Sequence, residues 1–375
     1  MKKSVLWGIL VVFSACNDAP KPGLLTFDVE KDYPEKELLL QDYWQVKYVP
    51  LETDSTFLVA SSKPGYVGEE HVGFMDNRTG NMLFFDANTG RKSFCINRKG
   101  SGPEEYMGIG VLRMDERREE VYAWNHWNGV IMVYDTQGNL LRKLPLGRKG
   151  EMAMIASMLD VDENHFACSS YEPIVGNYSK CYFLNKNTGK TTLLDSIPQQ
   201  RFVNPIIMQE IDGVMHAVEA SLSPIVKCVG GFVYADHSND TIYRVSPDGG
   251  MNPILARVPS VRETEPRVLL KYETEINDWI FLSAIELEYD FAREEGLRQK
   301  CYGIQKSNEK VYELKYVNAD YPDGEYYVSD TNVFYMSADK LMEVLADGKL
   351  SGDLKAVAMN LKEDDNGILI RLLPK

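Results

Sequence analysis

The chain has 375 residues, 44% of them hydrophobic, enough for one large core or two and too many for a disordered protein. Its 55 acidic and 41 basic residues give a net charge of −14, which excludes nucleic acid as a partner, because phosphates are held by basic surfaces. Aromatic residues make up 11%, including 21 tyrosines, a composition suited to pleated sheets.

Residues 1–15 read as a targeting segment. Lys2 and Lys3 precede an apolar run, Val5 to Phe13, that is too short to span a bilayer. Phe13-Ser-Ala-Cys16 puts small residues directly before a cysteine and resembles a bacterial lipoprotein signal peptide, with Cys16 as the lipidated residue. Asn17, not Asp, follows Cys16, so the expected location is the outer membrane, on either its periplasmic or its outer side. Residues 16–36, with Pro20, Pro22 and Pro34, read as a flexible tether, and residues 37–375 as the folded domain. The five cysteines after Cys16 are odd in number and make no disulfide framework; Cys168 and Cys181 fall on consecutive strands and are placed to pair in an oxidising compartment. No CxxC or His/Cys cluster occurs, so neither a metal nor another cofactor is expected.

Trp44–Leu51 alternates as a strand with no hairpin partner nearby. A repeat then begins. Met82–Phe85, the turn Asn88-Thr-Gly90 and Ser93–Ile96 are echoed by Val130–Tyr134, Asp135–Gly138 and Leu140–Leu144 about 50 residues later. Two more copies end in Thr191–Leu194 and Ile254–Val258. Each hairpin turn carries Asn, Asp or Gly where φ > 0 is required. Residues 259–277 are charged and lack strand alternation, and read as an excursion or a short helix. Trp279–Leu287, Cys301–Gln305 and Val311–Tyr316 form a less regular fifth unit. Tyr326–Val328 and Val333–Met336 open a sixth, Ala338–Glu343 and Asp353–Leu361 have helical spacing, and Gly367–Leu373 is a final strand. The fold class is therefore all-β: a six-bladed β-propeller of four-stranded antiparallel blades, closed by the N-terminal strand beside Ile368–Leu372.

Val49-Pro-Leu-Glu-Thr53, the hairpin Met82–Ile96, Gly100-Ser-Gly-Pro-Glu-Glu-Tyr106 and Asp240-Thr-Ile-Tyr243 carry a resemblance. The chain is similar to the six-bladed β-propeller lipoproteins of Bacteroides-type bacteria, which are related to NHL-repeat propellers. The resemblance implies fold and compartment and says little about chemistry.

Strand parity puts the loops between second and third strands on the same face as the crossovers between blades. That face collects Asp76, Arg78, Arg98, the cluster Trp124-Asn125-His126-Trp127, Arg148, Lys149, and Asp236 with His237. Indole rings beside amide and imidazole groups suit stacking on a sugar or a peptide aromatic. The basic residues would draw an acidic partner. Asp76, Asn125 and Asp236 hold equivalent positions and would have to converge to bind a channel metal. Gly100-Ser-Gly102 is followed by Pro103 and no helix, so it is no phosphate loop, and the adjacent Glu104 and Glu105 point apart and cannot flank one bond. No catalytic residue is assigned. Two readings stand: a non-enzymatic binding or scaffolding module for a glycan, peptide or protein at the cell envelope, or a metal-dependent hydrolase or lyase at the central channel.

Overall fold

The computed structural model describes residues 24–61, 63–146, 154–172, 176 and 178–375. Six antiparallel sheets form a ring, the six-bladed propeller expected. Blade 1 runs outward from the channel through Tyr66–Val67, His71–Asp76, Asn81–Asp86 and Lys92–Asn97. Blade 2 is Val111–Asp115, Glu120–Asn125, Val130–Asp135 and Leu140–Pro145, and blade 3 spans Met154–Asp160 to Thr191–Ile197 in the same order. Blade 6 holds three strands, Val333–Met336, Ile368–Pro374 and Trp44–Pro50. Trp44–Pro50 lies antiparallel to Ile368–Pro374, from Ile368 opposite Pro50 to Pro374 opposite Trp44. The lone N-terminal strand thus closes the ring, and Trp44 itself is fully buried.

Two segments differ from the sequence reading. Leu25–Asp28 adds a fifth strand to blade 4, parallel to Met251–Val258, and Glu35–Leu39 does the same on blade 5 beside Val311–Val317. Within residues 24–36, assigned to the tether, Leu25–Asp28 and the start of Glu35–Leu39 are therefore parts of the sheets; Phe27 and Leu38 supply the apolar anchors, stacked into the neighbouring cores. The signal segment and Cys16 lie outside the described residues. The second segment is Val268–Ile276, read as an excursion, which is the innermost strand of blade 5. It is buried on both faces, so alternation is lost, and its charges are paired: Lys271 with Glu273 at 2.9 Å, Glu275 with Arg244 at 2.9 Å.

The turns between third and outermost strands hold the ring together. Asp86 Oδ1 accepts from the amides of Asn88 (3.0 Å) and Thr89 (2.7 Å), and Gly90 follows at φ +71°. A Cβ on Gly90 would stand 2.0 Å from the Pro50 carbonyl of the preceding blade. Asn185 builds the same turn, with Gly189 (φ +71°) against Leu144 of blade 2. Below this apolar contact, Lys186 is buried between blades 2 and 3, with Nζ 2.6 Å from Asp115, also bonded to Asp160, and 4.6 Å from the Phe166 ring centroid. Cys168 and Cys181 are free and buried.

Candidate functional site

The loops between second and third strands and the crossovers between blades carry the candidate residues, each in its own surroundings. Asn77, just past the second strand of blade 1, clamps the crossover to blade 2: its Nδ2 donates to the Ile109 carbonyl (3.0 Å) and its Oδ1 accepts from the Ile109 amide (2.9 Å). The buried Tyr106 donates to the Gly80 carbonyl at 2.6 Å and accepts from the Arg98 amide, and burial pushes its phenol up to about 12.

The cluster 124–127 is divided. Trp124 packs in the core between blades 2 and 3. Asn125 is fully buried and neither of its amide atoms has a hydrogen-bond partner. His126 and Trp127 stand clear; their ring centroids are 5.0 Å apart at 38°, and Trp127 is 63% exposed. The shelf beneath them is glycine. A Cβ on Gly108 would come within 3.0 Å of His126 Cε1 and 3.1 Å of Trp127 Nε1. The crossover therefore passes close under the rings and supports them from one side.

The other candidates separate. Asp76 caps its own turn, accepting from the Arg78 amide (2.8 Å) and the Thr79 hydroxyl (2.7 Å), and the latter bond above all holds its carboxyl below the usual range. Arg78 extends into solvent. Arg98 Nε donates to the Gly138 carbonyl at 2.7 Å, and Lys99 donates to the carbonyls of Asn77 and Arg78. These two cations are spent on backbone carbonyls, not on the Glu104 and Glu105 carboxylates; Arg148 and Lys149 lie outside the described residues. Asp236 and His237 are buried beneath the crossover that follows blade 3. Asp236 accepts from Ser179 Oγ (2.7 Å) and the Ser238 amide (2.9 Å), and His237 Nε2 meets the Val203 carbonyl at 2.8 Å. Asp76, Asn125 and Asp236 are thus held apart in their own blades, and among the described residues no three His, Cys, Asp or Glu side chains gather as metal ligands.

At the innermost strands the channel is charged. Arg113 ties three blades, donating to the carbonyls of Gly65 (2.9 Å), Leu112 (2.7 Å) and Met158. Asp330 opens to water yet is walled in by protein; burial raises its carboxyl, against the opposing pull of Lys271 and Arg113. Burial likewise raises Glu273, which accepts from Ser283 Oγ at 2.7 Å and pairs with Lys271.

Sequence reasoning missed a hairpin on this face. Ile206–Ile211 and Val214–Glu219 form a hairpin between blades 3 and 4, turning at Asp212 (φ +52°) and Gly213 (φ +79°). The Asp-Gly pair between two apolar runs was the available signal. A second hairpin pairs Tyr289–Asp290 with Glu295–Gly296, and the helices Ala338–Ala346 and Gly352–Ala358 fill the excursion of blade 6. Leu58, Met107, Met208 and Tyr327 are exposed on connections of this same face.

The ring has solved counterparts. A Bacteroides fragilis NCTC 9343 protein described as exported is 15% identical, with a TM-score of 0.60 over 94% of this chain and 99% of that one, a likeness of fold. A DUF4221 family member from Bacteroides vulgatus ATCC 8482 is 9% identical (TM-score 0.46; 89% and 97% covered), and a streptogramin B lyase 10% identical (0.38; 88% and 98%). No curated protein matches the sequence. The model of a domain of unknown function, DUF4934, matches residues 24–372, and this six-bladed propeller therefore belongs to the DUF4934 family.

Proposed function

We propose that this propeller is a non-enzymatic binding or scaffolding module of the cell envelope, and that it takes a glycan, peptide or protein partner on the face carrying Trp127. The observation that carries this reading is the Trp127–His126 ring pair, exposed in close approach to the backbone at Gly108, where a Cβ would press on both rings. A large aromatic held rigidly in water contributes contact area at little entropic cost and is the commonest kind of binding hot spot. The channel supports the same reading over a metal-dependent hydrolase or lyase, because Glu273 and Asp330 face the fixed cations Lys271 and Arg113, which a metal ion would have to displace. Capture of envelope glycans or proteins by the full chain tests the proposal: Trp127→Ala should abolish capture while leaving the fold intact, and robust turnover of a substrate by the purified protein would overturn it.

The location belongs to the same proposal. The N-terminal signal and the description of the Bacteroides fragilis fold relative as exported support an envelope protein, tethered by lipid at Cys16 and facing either side of the outer membrane. Among the described residues no helix is long and apolar enough to cross a membrane. A Cys16→Ser protein should leave the membrane fraction; one that stays there refutes the anchor.

A further inference from the structure

The hairpin Ile206–Glu219 is anchored at its base and bare along its length. Val203, Ala220 and Leu222 root it in a small core with Val261, Leu269 and Ile285. Beyond that root the strands are mostly exposed, and a two-stranded hairpin in water is marginal by itself. Its two faces have different surroundings. On one, His216 meets Phe291 of the second hairpin, with ring centroids 6.3 Å apart. On the other, Met208 pairs across the strands with Ala217 and Met215 with Glu210, so the two methionines are diagonal neighbours; they are 51% and 61% exposed. Among the described residues, the body bonds this face at its foot, from the Tyr171 hydroxyl to Glu219.

Charge narrows the occupant. Residues 206–219 contain Glu210, Asp212 and Glu219 and no lysine or arginine. The second hairpin lies on the opposite, His216 face and is mixed in charge, with Glu286, Glu288, Asp290 and Glu295 lining a cavity of about 230 Å³ that Arg293 and Arg298 also border, so the acidic rim of the methionine face is Glu210, Asp212 and Glu219. Methionine is unbranched and polarisable and adapts to varied apolar surfaces. An apolar stripe rimmed by carboxylates fits a partner with the inverse pattern, and it repels the anionic surface of a membrane.

We propose that the Met208–Met215 face of this hairpin docks a cationic amphipathic segment of a partner protein, with the methionines taking its apolar side and Glu210 and Asp212 its lysines or arginines. The inference shares with the proposed function only the face of the ring; the residues are different.

The test uses the full chain and a labelled Lys/Leu peptide of amphipathic helical pattern, followed by fluorescence anisotropy. Controls are a scrambled peptide of the same composition and vesicles containing phosphatidylglycerol. The patterned peptide should bind more tightly than the scrambled one. Met208→Ser with Met215→Ser should weaken it about tenfold, as loss of paired apolar anchors does, and Glu210→Lys should weaken it most at low salt. Trp127→Ala should change nothing, which separates this result from the test of the ring pair. Equal binding of both peptides, double-serine binding like wild type, or vesicle binding that needs the methionines would each overturn the proposal.

Discussion

On one face of the ring the connections repeat nearly residue for residue; on the other they range from the tight turn after Asp76 to the two helices inserted in blade 6. The repeating turns present Asx side chains that cap their own backbone and glycines that let one blade's turn lie on the strand of the blade before. The variable connections present exposed side chains: Trp127, Met107, Met208 and Tyr327. Positions on the repeating face are fixed by contact with a neighbouring blade and tolerate little change. On the other face Asn77, Arg98, Asp236 and His237 are tied into the ring, while the exposed side chains such as Trp127 and Met208 are free for recognition.

The contrast predicts where substitutions cost stability. Removing residues 37–52 deletes the closing strand, and it should abolish cooperative unfolding and expose a sheet edge. Trp44→Ala should cost about 3–5 kcal/mol in denaturant unfolding, because the ring is fully buried there. A truncated chain that melts like the intact one would break the closure argument. Lys186→Met should cost up to about 3–5 kcal/mol, since it removes the closest cation from the buried Asp115 carboxylate and leaves only Arg117 and Arg118, each at 3.7 Å, and adding Asp115→Leu should recover part of that loss.

The turn glycines sharpen the comparison. Gly138 has φ +80° but no atom closer than 3.4 Å to a Cβ, whereas a Cβ on Gly90 meets the Pro50 carbonyl at 2.0 Å. Gly138→Ala should therefore cost about 1 kcal/mol for backbone conformation alone. Gly90→Ala should cost clearly more and loosen the ring at its seam. Equal melting of the two variants would show that the close approach carries no weight.

A smaller effect follows from pH. The Thr89 hydroxyl first, then its amide, holds the Asp86 carboxyl below its ordinary value. A depressed carboxyl contributes stability that is complete above the unfolded-state value of about 3.9 and is lost as pH falls through the lower folded value. Blade 3 builds the same turn with Asn185, which does not titrate. Asp86→Asn should therefore flatten part of the stability loss below about pH 4, and Asn185→Asp should steepen it. An unchanged acid limb in both variants would contradict the assignment.

Much of the fold was legible because its signals are local. The Asx-Gly turns and apolar runs of blades 1 to 4 mark their strands, and the unpaired Trp44–Leu51 had only one open place in the ring. Val268–Ile276 was not legible, because its charges are neutralised within the strand, Lys271 with Glu273, and by Arg244 of the neighbouring blade on Glu275. Leu25–Asp28 was hidden by its flanking prolines. The candidate site was legible as a face and less so as a set of residues. Parity places Arg98, Asp236 and His237 on that face, but their partners, the Gly138 and Val203 carbonyls and Ser179, are set by distant chain segments. The Met208–Met215 hairpin carried a readable Asp-Gly turn, and its importance shows only once both its faces are seen.

The most direct test of the variable face as the binding face compares an exposed apolar residue on it with one on the outer rim of the ring. Trp127 lies on the variable face and Leu193 on the outermost strand of blade 3, and they are 63% and 59% exposed. Each alanine substitution should change unfolding free energy by no more than about 0.5 kcal/mol. With immobilised full chain and envelope extract, the account predicts that Trp127→Ala loses the captured partner and Leu193→Ala retains it. Retention by both variants, or loss by Leu193→Ala alone, would contradict it.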